Sequence, residues 1–361
     1  MITKHQIYLA GASGLLAGEF LRLLGVHPGL ELAGAYTRAG GQGLMELHPH
    51  LAFDSDTAKT LEFESLAADL VKVLKAHPAD FPWKVVLLLG LPHGQSGPWW
   101  AAHRDRFEEY ADVLVVVDMS ADFRLESADA YKETYSLDHA CPDELGHWAC
   151  GLPELHTLPP GCKRIAVPGC FATAMQLAVL PAARAGLLKL DHSWILQGVT
   201  GSSGSGAHAT QGTHHPHRNG NFKAYGLGGH RHEAELLTPR NFEKMPNVDF
   251  TPHSGSFSRG IFLHAILPLA AASDAAAIRK LYGEHYAGQS FVEVQASTPE
   301  VRQVAGSNRA LIGITTRGTN LHAICAIDNT LKGGAGQAMQ CLNLVLSFPQ
   351  ETALPISGLG Y

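Results

Sequence analysis

The nine residues Ala10-Gly11-Ala12-Ser13-Gly14-Leu15-Leu16-Ala17-Gly18 constrain this chain more than any other stretch. They join a short apolar run, residues 5–10, to an amphipathic run, residues 13–24, through a turn built on glycine. Apolar alternation that gives way to a 3.6-residue period marks a strand feeding a helix. Gly11 and Gly14 let the backbone of such a turn approach a pyrophosphate at the helix N-terminus, and Ala17 takes the third position of the pattern. The bland reading is an ordinary tight turn between strand and helix. The strand before and the helix after favour the nucleotide.

The same grammar repeats through the first half. Residues 30–36, 84–90 and 111–118 read as strands, and residues 64–77 and 98–110 as helices. Strands that are apolar on both faces and joined by helices form a parallel sheet covered on both sides. After about Gly151 the pattern changes. A helix over 172–185 and a strand over 193–199 lead into a Gly/Ser/His-rich stretch, 201–229. Strands follow at 248–252, 259–269, 291–294, 310–316 and 321–327, with a helix at 273–286 and a last one at 333–346. A chain of 361 residues is too long for one core. The expected architecture is α/β: a Rossmann-type doubly wound parallel sheet plus an α+β substrate or dimerisation domain with a mixed sheet. The first domain spans 1–165, completed by 333–361, and the second spans 166–332.

Composition removes several classes of function. No apolar run reaches 18 residues, so no membrane span is expected. The first residues enter a strand without a basic and apolar leader, which points to a cytoplasmic protein. A net charge of −6 with no Lys/Arg block argues against nucleic acid. Six cysteines scattered through a long chain read as reduced thiols. Cys141, Cys150, His139 and His147 are residue types that bind zinc, but their spacing fits no common knuckle, so no metal is expected.

Three strand ends should face one crevice. At the second, Tyr36-Thr37-Arg38 stands where an enzyme using NAD carries an acidic residue for the ribose. A hydroxyl and a guanidinium suit a 2′-phosphate, so the expected cofactor is NADPH. The other two are Leu91-Pro92-His93-Gly94 and Asp118-Met119-Ser120-Ala121-Asp122-Phe123-Arg124. Ser120 is assigned to the cofactor and Arg124 to the substrate.

The chemistry centres on Val167-Pro168-Gly169-Cys170-Phe171-Ala172-Thr173, which sets one cysteine at a helix start. Unpaired N–H groups there stabilise a thiolate and a developing oxyanion. The alternative is a small buried hydrophobe. An acid/base partner is offered by Gly229-His230-Arg231-His232-Glu233-Ala234-Glu235. His232 and Glu235 share a helix face, so the carboxylate could orient that ring. His232 is preferred over His230, and Arg231 suits a substrate carboxylate or phosphate. A competing reading from another class takes His208, His214, His215, His217, His230 and His232 as the ligands of a metal-dependent hydrolase. A third is a nucleotide sensor without turnover.

Together these pieces resemble a known family. GASGLLAGEF, Thr37-Arg38 with HPHL, LPHG, DMSADFRL, GLPE, PGCFATA, GHRHEAE, FTPHSGSFSRGI and DNTLKGGAGQAMQ run in order from Gly11 to Gln340. The chain resembles the N-acetyl-γ-glutamyl-phosphate reductases of arginine biosynthesis, relatives of aspartate-semialdehyde dehydrogenase. It departs from them at Phe171-Ala172, where the family has Tyr-Pro, and at Ala234, where it has proline. The resemblance implies a Cys170 nucleophile and a histidine acid/base in the 230–232 pair. It also implies NADPH contacts from Gly11, Ser13, Gly14 and Leu15 and from Asn329, Lys332 and Gly333. Cys170 would attack the acyl phosphate, Arg231 or Arg259 would hold developing charge, and hydride from NADPH would reduce the thioester to the aldehyde. The stretch 212–218 followed by 229–235 also looks like a sister branch that reduces aminoadipyl or glutamyl phosphates on a small acidic carrier protein. The free N-acetylated acyl phosphate is placed first, because a chain at −6 is a poor dock for an acidic partner. A homo-oligomer, dimer or tetramer, is expected.

Overall fold

A computed structural model describes residues 4–52, 59–78 and 82–360. The chain divides into two compact units. The first comprises residues 1–151, 158–167 and 338–353; the second comprises 152–157, 168–337 and 354–361.

The first unit is built on a wholly parallel seven-stranded sheet. Its strands are β1 (His5–Ala10), β2 (Leu30–Thr37), β3 (Leu61–Glu62), β4 (Val85–Leu89), β5 (Leu114–Asp118), β6 (Ala149–Cys150) and β7 (Arg164–Ala166). Their order is β3-β2-β1-β4-β5-β7-β6, so the winding reverses between β1 and β4. Every residue of β4 and β5 is buried, as a sheet covered on both faces demands. The helix Leu15–Leu24 buries Phe20, Leu21 and Leu24, while Leu66–Ala76 buries Leu66, Leu70 and Leu74. Several features depart from the sequence reading, among them the short strands β3, β6 and β7. The expected helix over 98–110 is a helix at Ser96–His103 followed by two 3-10 turns, and Ala128–Tyr135 is an additional helix.

The C-terminal segment completes this unit. His27 Nε2 lies 2.9 Å from Asn343 Oδ1, and the Phe348 ring closes on Gly29 so tightly that a Cβ there would stand 2.2 Å from it.

The second unit carries a mixed seven-stranded sheet, β12-β13-β14-β11-β8-β10-β9. Its strands are β8 (Trp194–Thr200), β9 (Lys223–Ala224), β10 (Val248–Ser254), β11 (Ile261–Pro268), β12 (Val292–Gln295), β13 (Ala310–Arg317) and β14 (Asn320–Ile327). β8 and β10 run parallel, while β11 pairs antiparallel with both β8 and β14. Burial in β11 alternates residue by residue, the signature of a sheet covered on one face only. The helices Cys170–Arg184 and Ala275–His285 supply that cover.

The helix Cys170–Arg184 is buried from Phe171 to Ala182 and contains Pro181. Proline has no N–H to give the carbonyl four residues back. The Tyr286 hydroxyl donates to that carbonyl, Leu177 O, at 2.7 Å, and Tyr282 donates to Ala178 O at 2.6 Å. Among the described residues no helix is long and apolar enough to cross a membrane.

Candidate active site

In the first unit, the turn after β1 has the geometry its glycines require. Gly11 adopts φ +74°, and a Cβ on it would stand 2.2 Å from Gly90 O, just beyond β4. Only glycine permits both the left-handed backbone and this approach. Gly14 caps the helix Leu15–Leu24, which has no side-chain cap and no acidic residue in its first turn. The positive helix end thus carries no counter-charge from its own first turn, which fits a pyrophosphate. Gly18 rather than Ala17 meets a close neighbour: a Cβ there would stand 2.5 Å from the His48 ring. Ser13 and Leu15 flank this turn, and Leu15 is an exposed large apolar side chain.

Other assignments in this unit divide. Arg38 is exposed just beyond β2. Thr37 is buried, accepts the Gly40 N–H at 3.2 Å and donates to Thr60 Oγ1 at 3.2 Å, so its hydroxyl is occupied in shaping the turn. Ser120 is wholly buried and donates to Asp118 Oδ2 at 2.8 Å. Burial and the neighbouring Asp122 push Asp118 up to about 6, against the hydrogen bonds from Ser120. Asp122 in turn accepts from Gly94 N and Gly97 N, holding the loop after β4 at the start of the helix Ser96–His103. The Ser120 hydroxyl is thus bonded within this loop, donating to Asp118 and accepting from Asp122 N. Arg124 is buried, with Nη2 on Met119 O at 3.0 Å. His139 and Cys141 are tied to Asp122 O and Gly97 O respectively.

The second unit holds a cleft of about 270 Å³ with Cys170 in its wall. Cys170 is the first residue of its helix and half-buried. The first intrahelical bond runs from Thr173 N to Gly169 O at 2.8 Å, so the preceding amides point beyond the helix end. Two glycines crowd the cysteine. A Cβ on Gly169 would stand 2.4 Å from His232 Nε2, and one on Gly333 would stand 2.7 Å from the Cys170 Cβ. Both neighbours need bare backbone to come so close.

His230 caps the short helix Arg231–Leu236, its Nδ1 accepting the His232 N–H at 3.2 Å. Burial, with Arg231 beside it, pushes His230 down to about 4. The Glu235 carboxylate is buried against the cysteine's approach: Oε2 accepts the Gly169 N–H at 2.8 Å, and Oε1 lies 4.0 Å from His232 Nε2. The sequence reading gave Glu235 to the histidine alone; it serves the backbone before the cysteine as well.

Two lining residues escaped the sequence reading. Tyr225 is pushed up to about 12, by burial first and by the charge of Cys170 second. Arg218 lines the same cleft and donates to Ser254 Oγ at 2.5 Å and to the Gly255 and Phe257 carbonyls, tying together the loops after β8 and β10. Arg218, Lys223 and exposed Arg231 give this cleft three cations, and among the described residues no carboxylate lines it. The signal was present as basic residues every few positions, but a Gly/His-rich stretch without periodicity hides which of them converge.

The segment from Asp328 to Gly333 is a bracing loop. Arg259 donates twice to Asp328, at 2.9 and 3.2 Å, and to Thr330 Oγ1 at 2.6 Å. Burial alone would raise the Asp328 carboxyl; Arg259 and the amides of Gly306 and Thr330 outweigh it and hold it low. Arg259, assigned by the resemblance to hold developing charge, thus fastens this loop. Asn329 is buried, accepting from Gly260 N at 2.7 Å and donating to Ser203 Oγ at 2.9 Å. Lys332, expected at the nucleotide, is wholly interior, its Nζ 2.6 Å from Glu154 Oε1. Among the described residues no three His, Cys, Asp or Glu side chains are grouped to hold a metal ion.

Comparison with known proteins gives this geometry its class. Residues 6–158 match the semialdehyde dehydrogenase NAD binding domain, and residues 170–329 match the semialdehyde dehydrogenase dimerisation domain. The chain belongs to the semialdehyde dehydrogenase family, and it is an oxidoreductase. It is similar along its whole length to N-acetyl-gamma-glutamyl-phosphate reductases: 36% identical to that of Saccharopolyspora erythraea, covering 98% of each chain, and 36% identical to that of Corynebacterium efficiens with the same coverage. A putative LysW-L-2-aminoadipate/LysW-L-glutamate phosphate reductase of Ignicoccus hospitalis is 34% identical over 97% of each chain. The fold is shared with aspartate semialdehyde dehydrogenase II from Vibrio cholerae, at a TM-score of 0.64 and 16% identity over 96% of this chain and 99% of that one. The expected α/β architecture with a parallel and a mixed sheet agrees with these matches.

Proposed function

We propose that this protein reduces N-acetyl-γ-glutamyl phosphate to the corresponding semialdehyde and phosphate, with NADPH as reductant and a thioester on Cys170. The observation that carries the reading is Cys170 at a helix start within a cleft whose described walls carry three cations and no carboxylate. A substrate bearing both a carboxylate and a phosphate suits such walls.

In this reading the Cys170 thiolate attacks the acyl carbon while His232 is protonated. The bond from that carbon to the phosphate oxygen breaks, and His232 gives its proton to the departing phosphate. Amides at the start of the helix hold the carbonyl oxygen as it becomes anionic. What NADPH supplies when bound is a hydride for an acyl carbon, and the unneutralised helix start at Gly14 together with Arg38 would hold it. Return of the sulfur as thiolate frees the aldehyde, and His232 regains a proton from solvent. His230 is the weaker candidate, because its Nδ1 lone pair is already engaged and its pKa of about 4 keeps the ring neutral at neutral pH, with no imidazolium proton to transfer.

The test is a phosphate burst. Without NADPH, the enzyme should release about one phosphate per Cys170 and carry the acyl group on that residue by mass spectrometry, whereas Cys170→Ala should do neither. Steady phosphate release by Cys170→Ala would sink the mechanism.

A second reading keeps the chemistry and changes the carrier of the substrate. Lys223 and Arg231 line the cleft, while Phe222 and Leu227 on the same stretch are 60% and 75% exposed. Cations beside apolar side chains suit an acidic carrier protein, so kcat/KM should be compared for free and carrier-bound acyl phosphates. Cytoplasmic location and pairing of the second unit with another copy complete the proposal.

A further inference from the structure

The Lys332–Glu154 pair lies outside the residues that line the cleft, with both charged side chains shut off from water. Both side chains have 0% exposure, and the ammonium also sits over the Phe291 ring, 5.7 Å from its centre. Taking two charges out of water is costly, and well-packed apolar side chains usually stabilise a core as well or better. What an ion pair adds is direction: the carboxylate and the ammonium fix each other's place.

The contacts around this pair close on themselves. Glu154 lies in the six-residue segment 152–157, which belongs to the second unit although its flanks belong to the first. That segment is fastened to the helix Cys170–Arg184 twice. Leu155 O accepts from Arg184 Nη1 at 3.0 Å, and His156 Nε2 meets Gln176 Oε1 at 2.9 Å. Glu154 then grips Lys332 at 2.6 Å. The next residue, Gly333, presses on Cys170 at the start of the same helix, where a Cβ would stand 2.7 Å from the cysteine Cβ and 3.1 Å from its Cα. Gly333 and Gly334 offer little stiffness of their own, and Gly334 has φ −171° and ψ −105° within a π-type turn. Asp328 secures one end of this loop, its carbonyl accepting the Gly333 N–H at 2.9 Å.

We propose that Glu154 and Lys332 are positioning residues that set the Gly333 backbone against Cys170, and so fix the cysteine at the mouth of its helix. The proposal rests on Cys170 being the nucleophile. A displacement of about 1 Å at a reacting group can cost on the order of 10²-fold in rate.

The experiment compares Glu154→Gln with the double variant Glu154→Leu/Lys332→Met, which replaces the pair by apolar side chains. Melting temperature, kcat, KM and the pH profile of Cys170 alkylation by iodoacetamide, followed on the Cys170 peptide, are measured on the full chain. The double variant should melt within a few degrees of the parent, lose roughly 10- to 100-fold in kcat with KM changed less than about threefold, and show a displaced alkylation profile. Glu154→Gln should show the same profile change together with a lower melting temperature. A folded variant with the parent's kcat and alkylation profile would overturn the proposal. So would failure of both variants to fold, since the pair would then be needed for the fold alone. Turnover by Cys170→Ala would instead remove the functional reading, and the alkylation profile would still report on position.

Discussion

His230 Nδ1 accepts the backbone N–H of His232 at 3.2 Å, so the side chain of one histidine holds the main chain of the other. A neutral imidazole that accepts at Nδ1 carries its proton at Nε2. His230 is thereby confined to donating, while His232 has its Nε2 against Gly169. His232→Asn should lower kcat by roughly 10²–10⁴-fold, and His230→Asn, which keeps a good cap, by roughly tenfold or less. Steady-state kinetics of the two variants decide it, and the reverse ranking would transfer the acid/base role to His230.

Acid should expose His230 in a different way. Its folded pKa of about 4 lies below the ordinary 6.5, mainly through burial. Between those values the unfolded chain binds a proton that the folded chain lacks, so this group's contribution to stability falls as pH drops from 6.5 towards 4. In urea titrations at pH 7.5 and pH 5, His230→Asn should therefore lose less stability on acidification than the parent. An equal loss would show that another group governs acid sensitivity.

Gly169 offers a sharper probe of the cysteine's surroundings than the cysteine itself. Its φ of −65° is open to any residue, so Gly169→Ala brings no backbone strain, only the clash with His232 Nε2 at 2.4 Å. The variant should melt close to the parent yet lose at least about tenfold in kcat, because the displaced ring is the reacting one. Unchanged turnover would place the chemistry elsewhere.

Cofactor choice should separate two adjacent residues. Arg38→Ala should raise the KM for NADPH far more than that for NADH, since only NADPH carries the extra phosphate. Thr37→Val should leave the NADPH/NADH ratio nearly unchanged and lower stability by about 1–3 kcal/mol, because its hydroxyl is bonded to Gly40 and Thr60. A ratio that follows Thr37 instead would show that its hydroxyl reads the phosphate.

Tyr286→Phe removes the donor that satisfies Leu177 O beneath Pro181. A stranded buried carbonyl costs about 1–3 kcal/mol, visible as a lower melting temperature. Adding Pro181→Ala, which restores an N–H to that carbonyl, should recover part of the loss. Additive losses in the double variant would refute the repair.

Much of this was legible because periodicity carries burial. The unbroken apolar runs of β4 and β5 announce a two-sided sheet, and the alternation in β11 announces a one-sided one. Cys170 stood out because Pro-Gly before a helical run is a local signal. What stayed hidden depends on partners far away in sequence. Lys332 in a glycine-rich loop reads like a phosphate ligand until Glu154, 178 residues earlier, is found beside it. Arg259 is claimed by Asp328, 69 residues on, and Tyr225 and Arg218 reach the cleft through loops that no period describes. Three-residue β7 is too short to leave a pattern at all.

The first unit needs residues 338–353, and its N-terminal part waits for them throughout synthesis. His27 has no Asn343, and Gly29 no Phe348, until the ribosome has passed through the whole of the second unit. At about 5–20 residues per second, the stretch from Val167 to Ala338 takes on the order of ten to thirty seconds to emerge. For that interval the surface around His27 and Gly29 lacks the cover that Asn343 and Phe348 give it in the finished fold. A stop codon anywhere between these points would release not a working nucleotide-binding half but an incomplete one, so the first unit is finished only after the second has been made.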